Sequence, residues 1–155
     1  MKKFLLFLIF ISSFATAQMP NVSSVWMNNS QPYLGTISAD KVPIKVKIIS
    51  SDQDRKNDQE YFLSGFSVVE NTNNKFEGKL KITKYKAGKK RSVVFGEYEL
   101  DEENIGSHSG VFKGKFIYTF IWNKKTQKID QQFIEFIGNW QSYDGKLTYP
   151  AKWKN

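Results

Sequence analysis

The sequence predicts an all-β fold, a small antiparallel up-and-down barrel of about eight strands. Three observations predict it. Apolar and polar residues alternate at period two along most of the chain, with almost no sustained 3.6-residue periodicity. Short turn-forming segments separate these runs: Asn71-Thr72-Asn73-Asn74, Ala87-Gly88, Asn123-Lys124-Lys125 and Asp144-Gly145. The last is a hairpin dipeptide that accepts positive φ. A pattern of Phe, Gly and a large apolar residue at alternate positions recurs three times: Phe76, Gly78, Leu80; Phe112, Gly114, Phe116; Phe136, Gly138, Trp140. Glycine between two large residues on one face lets a strand curl and a facing ring approach the backbone. Curling to closure removes the edges on which sheets aggregate. An open, curled β-sandwich is the alternative.

Residues 1–17 read as a cleavable export signal. Lys2 and Lys3 are its positive region, Phe4 to Ile11 its apolar run, and Ala15-Thr16-Ala17 its cleavage site. The apolar run is shorter than the roughly 20 residues that span a bilayer. No cysteine follows the cleavage site, so lipoprotein anchoring is excluded, and no later segment is long and apolar enough to span. The expected location is the periplasm or the outside of the cell. Without residues 1–17, the 138 that remain carry a formal charge of +6, enough chain for one domain with its own core. Export permits disulfides, but the chain has no Cys, so packing and backbone pairing must stabilise it.

Residues 18–31 form a lead-in pinned by Trp26, and residues 32–155 form the barrel. An opening strand falls near 32–37. Val42, Ile44, Val46 and Ile48 share one face of the second, and residues 60–70 form the third. The fourth carries Phe76 to Ile82 and the fifth spans 92–100. The sixth places Phe112, Gly114, Phe116, Tyr118, Phe120 and Trp122 on one face. Ile134 to Trp140 and Leu147 to Trp153 complete the set. The polar stretches 51–59 and 101–109 read as loops. This layout resembles the calycin barrels, the lipocalin and avidin-type group, whose strands have similar phenylalanine–glycine–aromatic rhythm. Ser24-Val25 precedes Trp26 where a lipocalin has glycine two residues before its tryptophan. The resemblance therefore implies a barrel and carries over no ligand.

Catalytic chemistry finds little support. The one histidine, His108, lies in Gly106-Ser107-His108-Ser109-Gly110 and reads as a polar loop residue; there is no Cys and no nucleophile elbow. One His and no Cys exclude a zinc or copper site of usual composition. Asp52, Asp54, Asp58 and Glu60 do not make a calcium loop, because Lys56 takes a ligand position and no glycine makes the turn. Asp101, Glu102 and Glu103 likewise read as a solvated group. Glu97, Glu99 and Glu135 oppose the inward residues of their strands, so they do not face one another across a cleft as glycosidase carboxylates must. The expectation is a non-enzymatic binding protein without metal or cofactor.

Two surfaces are candidates for binding. Tyr98, Tyr118, Trp122, Gln132, Trp140 and Trp153 could line a pocket for a small apolar ligand, although an eight-stranded barrel is about wide enough only for its own side chains. Lys84, Lys86, Lys89, Lys90 and Arg91, around Tyr85, form a basic hairpin suited to a polyanion such as an anionic envelope component; alternatively they keep a sheet edge soluble. One interleaved tyrosine is too little for base stacking, so nucleic acid ranks last. A partner protein is the remaining class: an inhibitor or immunity protein that blocks an enzyme or toxin by inserting loops 51–59 and 101–109.

Overall fold

A computed structural model describes residues 19–155; the expected export signal lies outside the described residues. Eight strands follow in order: β1 (Tyr33–Ile37), β2 (Val42–Gln53), β3 (Glu60–Val69), β4 (Thr72–Lys86), β5 (Ser92–Glu102), β6 (Gly110–Asn123), β7 (Lys128–Ser142) and β8 (Thr148–Lys154). Each pairs antiparallel with the next. β8 returns to β1 from Leu34↔Lys154 to Ile37↔Ala151, so the sheet closes into a barrel rather than an open sandwich.

Alternation decides what fills the barrel. Ile44, Val46 and Ile48 of β2, Tyr98 and Leu100 of β5, and Phe112, Phe116 and Tyr118 of β6 are all buried. The rings touch edge to face: Tyr98 stands 5.3 Å from both Phe136 and Trp153, and Tyr33 stands 5.3 Å from Phe136. The recurring glycines face this interior. A Cβ on Gly96 would lie 2.1 Å from the Phe116 ring, and one on Gly114 would lie 2.6 Å from the Cα of Gly138 across the strand pair.

The strands run slightly longer than the sequence suggests. β2 continues to Gln53, paired with Tyr61, and β5 continues to Glu102, paired with Phe76. The loops are therefore 54–59 and 103–109. Leu147 belongs to the turn before β8, where Gly145 takes φ 70° as its dipeptide requires.

The wall is not equally tall all round. β8 pairs with β7 only from Glu135 onward, and β1 covers only Val42 to Val46 of β2. The lead-in closes this short side. A one-turn helix α1 (Ser23–Trp26), followed by a 3-10 turn at Asn28–Ser30, drops Trp26 into the barrel mouth. Its indole is fully buried, 5.2 Å from Phe116, 5.7 Å from Tyr61 and 5.8 Å from Tyr118. Tyr33 Oη donates to the Trp26 carbonyl at 2.8 Å, and Gln53 Nε2 donates to that of Met19 at 3.3 Å.

Up-and-down topology sorts the loops. The β2–β3, β4–β5 and β6–β7 connections share the end that the lead-in plugs, and the other four lie at the far end.

Candidate functional site

The two ends differ in charge. The three loops at the lead-in end carry seven Lys or Arg and two Asp, whereas the four at the far end carry two Lys and four Asp or Glu. Loops 54–59 and 103–109 lie at opposite ends, so they do not form one insertion surface.

At the lead-in end, the β4–β5 and β6–β7 hairpins stand side by side, joined through Ser92↔Phe120. Strict alternation from the inward Ile82 would send Lys84 and Lys86 into the barrel. A β-bulge prevents this: the register passes from Ile82↔Gly96 to Lys84↔Phe95, leaving Thr83 as the extra residue. Such a bulge re-aims every side chain beyond it. Lys84 and Lys86 therefore face outward, with Lys86 Nζ 5.5 Å from the Phe95 ring centroid. Lys89, Lys90 and Arg91 at the tip are exposed. Among the described residues, none of these five cations lies within ion-pair distance of a carboxylate.

The neighbouring tip adds Lys124, Lys125 and Lys128. Asn123 organises its turn, its side-chain oxygen accepting from the Lys125 and Thr126 amides at 2.9 and 3.2 Å. Tyr85 and Trp122 stand beside these charges with 54% and 47% of their surface exposed. Trp122 continues the inward face of β6 past the rim, which is why it is not buried. Gly114 to Phe120 on the same face stay within the closed wall.

The six residues expected to line an interior pocket do not meet around one space. Tyr98 and Trp153 lie in the centre of the core against each other, and Trp153 is fully buried. Tyr118 donates from Oη to Gln132 Oε1 at 3.2 Å under the lead-in, and burial pushes its phenol up to about 12. Trp122 is outside, and Trp140 is at the far end. The positions an interior ligand would line are filled by rings in mutual contact.

The far end holds Glu102, which the run Asp101-Glu102-Glu103 makes look like part of a solvated acidic group. Period two from Tyr98 and Leu100 carries Glu102 inward, and the residue is only 4% exposed. Three donors hold it: Ser67 Oγ at 2.5 Å on Oε1, and on Oε2 the Gly110 amide at 3.1 Å and Trp140 Nε1 at 2.8 Å. The Tyr143 hydroxyl donates to the Glu102 carbonyl. Above it lies a recess of about 450 Å³ whose lining includes Asp40, Glu70, Asn74 and His108. Trp140 and Tyr149 form one side, stacked with ring centroids 5.8 Å apart. His108 is exposed as expected, but its carbonyl accepts from Asn74 Nδ2 at 2.9 Å. Among the described residues, no three His, Asp or Glu side chains converge at metal-ligand spacing.

Compared with protein families, with curated proteins and with solved structures, the chain has no match. Function therefore rests on the chemistry of the two ends. Glu97, Glu99 and Glu135 face outward as their positions imply, and Glu99 pairs with Lys113 at 2.7 Å on the outer wall.

Proposed function

We propose that the protein is an exported, non-enzymatic binding protein that docks its lead-in end onto an anionic, phosphate-bearing lipid surface of the cell envelope. One observation carries this reading. The two adjacent hairpin tips hold eight cations and a single carboxylate, Asp130, beside exposed Tyr85 and Trp122. The leader over Lys2 to Ala17 would deliver the chain to that surface.

Each Lys or Arg near an anionic membrane contributes about 1 kcal/mol, and Trp and Tyr settle at headgroup depth, where one side of the ring is apolar and the other wet. A soluble polyanion would need the cations alone. Single-stranded nucleic acid would need aromatic platforms in series. Cations joined to two exposed amphipathic rings fit an interface that has apolar depth behind its phosphates.

Co-sedimentation with vesicles tests this. The protein should bind vesicles containing phosphatidylglycerol, or lipopolysaccharide micelles, more tightly than vesicles of phosphatidylcholine alone, and binding should weaken with salt. Comparing the two anionic surfaces identifies the source of the phosphate. Joint substitution Lys89→Glu, Lys90→Glu and Arg91→Glu should cost at least about 3 kcal/mol, roughly a hundredfold in affinity. Equal binding to phosphatidylcholine, or no loss on charge reversal, would overturn the reading. So would retention on heparin or an oligonucleotide without vesicle binding.

A further inference from the structure

The far end carries a second site, unrelated in chemistry to the cationic tips. Its recess sets three carboxylates, Asp40, Glu70 and Glu102, and the Asn74 amide among hydroxyl and apolar side chains. The Glu102 carboxylate is buried at its base, with only Ser67 donating to Oε1. Asn74 is 5% exposed, and its Oδ1 has no hydrogen-bond partner among the described residues. The orientation of that amide is set, because Nδ2 is committed to the His108 carbonyl. A buried acceptor without a donor is costly, and its persistence at a recess points to a donor that arrives from outside. Asp40 and Glu70 enter from the β1–β2 and β3–β4 turns and line the same space, with no Lys or Arg in the lining.

From these features we infer that the recess binds a small cation bearing N–H donors, a guanidinium or alkylammonium group on a short carbon chain. The charge of the lining calls for a cation. Acceptors at the base call for several N–H groups in one head, which a planar guanidinium supplies as a fork. The Trp140–Tyr149 pair and Phe112 offer aromatic and apolar wall to the cation and to the chain behind it. A volume of about 450 Å³ suits a molecule of this size and lies within the usual range for ligand pockets. The same head group could arrive free or as the arginine side chain of a peptide.

Calorimetric titration of the purified protein with agmatine tests the inference, with a neutral alkylurea of equal length as control. Agmatine should bind and the urea should not. A blocked arginine tripeptide, titrated in parallel, separates a free cation from a peptide side chain: tighter binding of the peptide assigns the site to peptides. Glu102→Gln and Asn74→Ala should each weaken binding at least tenfold. Because Glu102 also ties the loop to the wall, Asp40→Asn with Glu70→Gln at the exposed rim provides a variant that leaves the fold alone, and it too should weaken binding about tenfold. Absence of binding by either cation at millimolar concentration would overturn the proposal, as would equal binding of the urea or affinity unchanged in the rim variant. The Lys89, Lys90, Arg91 charge reversal should leave agmatine affinity unchanged, so failure here and failure of lipid docking are separate results.

Discussion

Individual buried polar atoms make opposite demands in this core. Tyr98 Oη is buried and has no partner among the described residues, whereas Tyr33 Oη donates to the Trp26 carbonyl. Removing an unsatisfied hydroxyl relieves a desolvation cost, while removing a bonded one leaves a carbonyl unpaired. Tyr98→Phe should therefore be neutral or slightly stabilising and Tyr33→Phe should cost about 1 kcal/mol. Paired urea denaturation curves distinguish these outcomes; equal losses would refute the assignment. Glu102 shows what single residues reveal in sequence and what they conceal. Its inward parity is legible from Gly96, Tyr98 and Leu100. Its neighbours Asp101 and Glu103 make it look like part of a charged loop. Only strand pairing brings Ser67, Gly110 and Trp140 together around it, from positions 35, 8 and 38 residues away in the chain.

At the scale of elements, period two and turn dipeptides make all eight strands legible, because a strand buried on one face must alternate. Bulges are not legible in this way. Nothing in Ile82-Thr83-Lys84 announces an extra residue, yet Thr83 determines that the basic hairpin faces solvent. The exposure of Trp122 was hidden for a related reason: alternation gives the face of a residue and not the height of the wall. The lead-in was legible as a segment pinned by Trp26, but its partners Tyr61, Phe116 and Tyr118 come from two distant strands. Trp26→Ala should cost about 3–5 kcal/mol, typical of deleting a fully buried large ring. A change under 1 kcal/mol in the unfolding midpoint analysis would mean that the lead-in merely rests on the barrel.

For the whole molecule, the buried phenols set an alkaline limit. Burial, with Tyr118 adding to it, holds the Tyr33 hydroxyl well above its ordinary value near 10, and burial alone does so for Tyr98. Above pH 10 the unfolded chain loses these protons and the folded chain keeps them. Their contribution is therefore complete below pH 10 and declines as pH rises beyond it, by about 1.4 kcal/mol per pH unit for each tyrosine. Tyr98→Phe should flatten that decline by one tyrosine's share in denaturation curves at pH 9 and 10.5; an unchanged slope would contradict the burial of this phenol. The join between β1 and β8 has a kinetic consequence. These strands are the first and last of the barrel, so their contacts close the longest loop in the chain, the slowest kind to form. During synthesis, β1 and β7 each present a bare hydrogen-bonding edge until β8 arrives. A chain paused before Thr148 is a curled ribbon with two open seams, and these seven final strand residues are the stitch that shuts both.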